Sequence, residues 1–190
     1  MGNTPSAVKG SQRIHSNRKK SDDATCSVTS SVSSQQKQSK NAFLVERDFC
    51  EAFNRRDTEP LRKLASSNCL CQYKGAENAL PLSQMLDAVN GVFASFPDSQ
   101  SRWESVKEVK RNKVVIKGLY SFGTHTGKPF GFGPFKPIPA TGKFVKEDPA
   151  DIILTMSGGK ITHLEIDMEN VKNAVTGPPG YYMSIGGKLA

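Results

Sequence analysis

GLYSFGTHTGKPFGFGPFKPIPATGK, residues Gly118 to Lys143, is the stretch on which the reading of this chain turns. A β-type run ahead of it (Val114, Val115, Ile116, then Leu119, Tyr120 and Phe122) delivers Thr124, His125 and Thr126 to a connection rich in Gly and Pro. A second strand-like run, Phe144 to Met156, leaves it, and two such runs around a Gly/Pro connection are a hairpin signature. The connection also carries Phe130, Phe132, Phe135 and Ile138, more apolar surface than a solvated loop needs. It is expected to fold over an opening as a lid.

Working outward, the order of elements is helices first and strands after. Phe43, Leu44, Phe49, Ala52 and Phe53 recur at mostly three- and four-residue steps among charged residues, which predicts an amphipathic helix. Asn54-Arg55-Arg56-Asp57 ends it, and Thr58 is the expected cap of a second short helix with Pro60 in its first turn. Cys69 to Tyr73 reads as a short strand. Leu82 to Ser95 reads as a third helix, with Met85, Leu86, Val89, Val92 and Phe93 as its apolar stripe, stopped by Phe96-Pro97-Asp98. Trp103 to Val109 alternates, Asn112 turns the chain, and Val114 to Thr126 is the next strand. Phe144 to Met156 is interrupted near Pro149, where a bulge is expected, and Lys160 to Met168 is the last strand. Three helices followed by an antiparallel-rich sheet is an α+β order.

Composition limits the classes of function. Residues 1–40 hold no aromatic residue and abound in Ser, Gln, Lys and Asn, too little apolar surface to offset chain entropy, so this tail is expected to be disordered. The folded unit is expected over residues 41–175, with residues 176–190 as a C-terminal tail. Seven basic residues against two acidic ones put +5 of the formal +8 in the first forty residues. The folded part therefore offers no basic stripe with interleaved aromatics, and nucleic acid is not an expected partner. Cys26, Cys50, Cys69 and Cys71 make no disulfide framework and are read as reduced thiols. No apolar run is long enough to span a bilayer or to serve as a signal peptide, which predicts a cytoplasmic protein. Met1-Gly2-Asn3-Thr4-Pro5-Ser6 fits the N-myristoylation pattern at Gly2, and the basic cluster Arg13 to Lys20 would supply the second signal that one acyl chain needs for a membrane surface.

Gly-Thr-His-Thr-Gly at 123–127 followed by Pro-Ala-Thr-Gly-Lys at 139–143 resembles the paired motifs of SnoaL-like polyketide cyclases, of the nuclear-transport-factor-2-like superfamily. Phe96-Pro97-Asp98 before a strand and Gly159-Lys160-Ile161 in the last turn fit the same order, and the resemblance covers roughly residues 41 to 175. It implies a cone-shaped, curved sheet wrapped by the three N-terminal helices, a cavity for a small hydrophobic ligand, a homodimer formed through the sheet, and no metal or organic cofactor. It also implies an aldol-type cyclisation or isomerisation of a polyketide-like carbonyl compound, driven by an Asp on the strand after Thr-Gly-Lys and assisted by the motif's His.

On this chain the His is His125, and the Asp maps to Asp151, with Asp148 as the fallback because Pro149 disturbs the register. A carboxylate in an apolar wall has a raised pKa and exchanges protons near neutrality, the logic that ketosteroid isomerase of the same superfamily illustrates. Tyr120, Phe122, Phe130, Phe132 and Phe135 are the expected pocket and lid residues. Two departures bear on the pocket: about six extra residues, GFGPFK, lengthen the connection, and Glu165 stands where the family often has Trp. Glu165 is thus a further candidate acid, although Ile161, His163, Glu165 and Asp167 share one parity and read equally as a solvent face. Two other functions stay open: a non-catalytic ligand-binding or assembly module tethered by its tail, and a dehydratase or epoxide hydrolase needing more polar groups around the acid.

Overall fold

A computed structural model describes residues 38–168 and 176–189. The acylation pattern at Gly2 and the basic tail lie outside the described residues.

The first helix is α1 (Lys40–Val45), which runs without interruption through a π-helical turn, Glu46–Cys50, into α2 (Glu51–Asn54). Ser39 caps it, its Oγ accepting the Ala42 N–H at 3.1 Å. Phe49 and Phe53, one on the π turn and one on α2, stack at 5.0 Å. Helix α3 (Glu59–Leu64) carries Pro60 in its first turn as expected. Its capping acceptor is Asp57, whose Oδ1 takes the Glu59 N–H, while Thr58 Oγ1 donates instead to Asn90 Oδ1. Helix α4 (Leu82–Ser95) buries Leu82, Leu86, Val89 and Val92. A last helix, α5 (Gly177–Ser184), forms where periodicity gave no helix: Pro178 and Pro179 sit in its first turn, where missing N–H groups cost nothing, and Tyr181 and Tyr182 are buried.

Eight strands form one sheet: β1 (Ala65–Tyr73), β2 (Leu80–Pro81), β3 (Gln100–Arg102), β4 (Ser105–Lys110), β5 (Lys113–Thr124), β6 (Phe144–Lys146), β7 (Ala150–Ser157) and β8 (Lys160–Asp167). The path is β2-β1-β8-β7-β5-β3, with β4 and β6 also on β5; only β1 and β8 run parallel. Strand β5 produces the curvature. Its first half pairs with β4 and β7, its second half with β3 and β6, and the register shifts between Ile116 and Leu119. Gly118 sits at that shift with φ +62°, a conformation that glycine adopts without strain.

The concave face of the sheet packs against the N-terminal helices. Val114, Ile116, Ile152, Leu154, Met156, Leu164 and Ile166 meet Val45, Phe49, Leu61, Leu82 and Leu86 in the main core. A second core joins the end of α4, the long connection and α5 through Val92, Phe96, Phe130, Val145, Tyr181, Tyr182 and Ile185. The fold is thus α+β, a large curved open sheet with helices against it. No helix among the described residues is long and apolar enough to cross a membrane.

Candidate functional site

Between the helices and the concave face lies a cavity of about 80 Å³, walled by Phe49, Phe53, Leu61, Leu86, Ile152 and Ile166 among others. A second void of about 40 Å³ adjoins it, and Phe53, Val89, Ser121, Glu147, Gly177 and Pro178 line both. Among the described residues Glu147 is the single carboxylate in either wall.

Glu147 is the last inward residue before the strand breaks. Val145 and Glu147 face inward on one parity; Asp148 and Pro149 are both exposed; Ala150, Ile152 and Leu154 then face inward on the other parity. Two successive outward residues are what a bulge inserts, and everything after it changes face. The Glu147 N–H donates to Ser121 O at 2.9 Å, which ties the break to β5. The side chain is 8 % exposed. Burial pushes its pKa up to about 8, although the Gly177 N–H, the Thr176 and Ser121 hydroxyls and the Ser121 backbone hydrogen-bond the group and pull the other way. Its Oε1 has no hydrogen-bond partner among the described residues.

His125 lies elsewhere. It is fully buried at the end of the β5–β6 hairpin: its N–H donates to Lys143 O, and its carbonyl accepts the Gly142 N–H, both at 2.9 Å. Its Nδ1 accepts the Thr141 N–H at 3.3 Å, which places the proton of the neutral ring on Nε2. Burial lowers the pKa and favours that neutral form. The two halves of the paired motif are therefore opposite sides of one hairpin, laced by an imidazole. Asp98 secures the same corner, accepting from Thr124 N–H at 2.7 Å and Thr124 Oγ1 at 2.8 Å. A Cβ on Gly127 would stand 2.2 Å from Ala94 O, so the motif's second glycine permits the hairpin to touch α4. Phe96 stacks on His125 at 4.9 Å and meets Tyr181 edge-on at 4.5 Å, so a phenyl ring stands between the imidazole and the cavity residue Tyr181.

Asp151 faces the convex side. Its Oδ2 accepts from Lys117 Nζ at 2.6 Å and its Oδ1 from the Gly118 N–H at 3.0 Å, so it holds the bend of β5. Asp148 is exposed at the break. Glu165 is half-buried beside Gln72 and Ile153 on the strands that flank it, on the face away from the cavity. Asp151 and His125 are not brought together. Tyr120 lines the cavity. Phe122 packs between Tyr120 and Phe144, each at 6.2 Å. The long connection was expected to cover an opening; instead Phe130, Phe132 and Phe135 gather around Tyr182 at 5.5 to 6.3 Å and build the second core. Three aromatic rings of this size have a large apolar area to bury, and α5 gives them a partner surface.

Sequence reasoning missed Glu147. The available signal was its shared parity with Val145, the one aliphatic residue of β6. Cys71 also lines the cavity, but burial pushes its thiol up to about 12, away from the reactive thiolate. Among the described residues no three His, Cys, Asp or Glu side chains converge as a metal site would require.

The model of the SnoaL-like polyketide cyclase family matches residues 43–169. Solved structures of the same fold include AclR from Streptomyces galilaeus, a candidate hydroxylase, at 20 % identity and TM-score 0.56, covering 78 % of this chain and 86 % of its own. IdmH from Streptomyces antibioticus, a candidate polyketide cyclase, aligns at 20 % identity and TM-score 0.52 over 70 % of this chain and 94 % of its own. AusH from Aspergillus nidulans aligns at 14 % identity and TM-score 0.51, covering 75 % and 92 %. No curated protein sequence matches the chain significantly. These likenesses establish the architecture; the chemistry has to be argued from the cavity.

Proposed function

Because the chain belongs to the SnoaL-like polyketide cyclase family, we propose that it is a cofactor-free cyclase or isomerase of a small hydrophobic carbonyl compound, with Glu147 as its proton-transfer group. The observation that carries this reading is one buried carboxyl in an otherwise apolar wall, held at a pKa of about 8. Near neutral pH such a group exists in both protonation states, as an acid–base catalyst should.

The carboxylate of Glu147 removes the proton α to a carbonyl. The C–H bond breaks, an O–H bond forms on Glu147, and the electron pair moves to the carbonyl oxygen to give an enolate. In a cyclisation the enolate carbon then attacks a second carbonyl of the same molecule, forming a C–C bond, and the new alkoxide takes the proton back from Glu147. No atom is gained or lost.

The two voids, about 80 and 40 Å³, are smaller than the roughly 150 Å³ that an apolar cavity needs for benzene. Seating a ring system therefore requires the cavity to widen. The test is deuterium exchange into the α-carbon of cyclohexanone, which exchanges slowly without a catalyst near neutral pH, in D₂O, followed by NMR with the full chain. The wild type should catalyse exchange and Glu147→Gln should not. Equal exchange by both would sink the catalytic reading; saturable binding without exchange by either would identify the ligand-binding module instead.

A further inference from the structure

The smaller void has a chemical character that the larger one lacks. Ser99 Oγ, Glu147 Oε1 and Tyr181 OH are all buried and all without a hydrogen-bond partner among the described residues. The three residues line the same 40 Å³ space. They are 5 %, 8 % and 2 % exposed, and they arrive from three separate places: the turn after α4, the break between β6 and β7, and α5. Buried polar atoms are ordinarily paired, and three orphans sharing one small space imply a guest that pairs them. The space suits one oxygen atom or one water, whose share of liquid volume is about 30 Å³.

The donor inventory sets the class of that guest. The Tyr181 and Ser99 hydroxyls can each donate, and Glu147 donates when protonated. Burial, reinforced by the charge of Glu147, raises the Tyr181 pKa, so its proton stays in place at neutral pH. An acceptor oxygen fits these donors, and the space has room for one such atom.

We propose that Ser99 and Tyr181, joined by Glu147 once it has taken up the α-proton, form an oxygen-binding subsite: the ligand's carbonyl oxygen sits in the smaller void while its apolar body occupies the larger one. This rests on the reading that the cavity takes a carbonyl compound. On α-proton removal the negative charge develops on that oxygen, and the two hydroxyls, which line the void and have no other partner among the described residues, are free to donate to it. Tyr181 lies beyond residues 43–169, so the helix that completes the subsite is outside the matched family region.

Cyclohexanone and methylenecyclohexane, which replaces the carbonyl oxygen by CH₂, are the probes, titrated into the full chain and followed by ligand-observed NMR. The wild type should prefer the ketone by about tenfold, because a site built for an oxygen leaves its own polar groups unpaired when the oxygen is missing. Tyr181→Phe should reduce that preference by about tenfold and leave alkene binding unchanged, and Ser99→Ala should act in the same direction. Melting temperatures confirm folding, and removing an orphan hydroxyl should not lower them. Unchanged ketone preference in both variants overturns the proposal, as does the absence of binding by either probe. A crystal structure with the ketone bound and an ordered water still in the smaller void also overturns it. The two readings separate through Glu147→Gln. If that variant still exchanges deuterium while Tyr181→Phe loses the ketone preference, the proton-transfer role fails and the subsite stands; if it stops exchange while the preference survives Tyr181→Phe and Ser99→Ala, the reverse holds.

Discussion

Glu147 and Asp151 flank one break in one strand and stand on opposite faces of the sheet: Glu147 is buried in the cavity wall, and Asp151 is paired with Lys117 on the convex side at 2.6 Å. The pair separates the proposed acid–base group from an architectural one, and their variants should differ accordingly. Glu147→Gln keeps the shape and removes the titration, so exchange should fall by 10²-fold or more, the usual contribution of a general base. In the wild type the exchange rate should climb with pH and level off above about 8, as Glu147 ionises. A profile that is flat from pH 6 to 9 would assign the proton transfer elsewhere.

The same titration must appear in stability. The folded pKa is raised, from an ordinary 4.5 to about 8, so between those values the native state holds a proton that the unfolded chain has released. Stability is then full below about pH 4.5 and falls by up to about 1.4 kcal/mol per pH unit until the native group ionises near pH 8. Urea denaturation at pH 5, 7 and 9 should show this loss in the wild type, and Glu147→Gln should remove that component and be the more stable protein at pH 9.

Asp151 should behave as a structural residue. Its partner Lys117 is half exposed, so the ion pair alone is worth little, on the order of 0.5 kcal/mol. The acceptor for the Gly118 N–H matters more, because it holds the bend on which the sheet's curvature depends. Asp151→Asn should therefore cost under about 1 kcal/mol and Asp151→Ala about 1–2 kcal/mol, with deuterium exchange per folded molecule unchanged in both. Loss of exchange in a folded Asp151→Asn protein would return Asp151 to the chemistry.

Gly127→Ala tests the contact between the hairpin and α4. The added Cβ would meet the Ala94 carbonyl oxygen at 2.2 Å, and backbone on both sides leaves nothing flexible to yield. The Gly127 and Lys128 N–H groups also donate to Ser95 O and Ala94 O, bonds that a retreating hairpin would lose. Destabilisation by more than about 2 kcal/mol is expected, read from thermal denaturation. A wild-type melting temperature would mean that the hairpin is not held there.

His125→Ala should cost about 2–4 kcal/mol by removing a fully buried ring that packs on Phe96 and accepts from Thr141. Since burial depresses its pKa, the native state resists the proton that the unfolded chain takes up below about 6.5. Its contribution is thus present above that pH and lost on acidification, opposite in sign to that of Glu147.

The helices up to Ser95, the strands from Trp103 to Met168 and the hairpin at Gly118 to Lys143 were legible from local pattern, because period and turn chemistry are properties of neighbouring residues. Leu82 to Ser95 was legible to its ends for the same reason: an apolar stripe, then Phe96-Pro97. The paired motifs likewise announced the family. Which acid faces the cavity was settled only in three dimensions, since the two-residue alternation carries across a strand only when no residue is inserted. Asp148 and Pro149 insert one, so Glu147 keeps the inward parity of Val145 while Asp151, beyond the break, turns outward. Helix α5 was equally invisible, for its tyrosines are buried not by their own periodicity but by Phe96, Phe130 and Phe132, which the chain brings to them from far away.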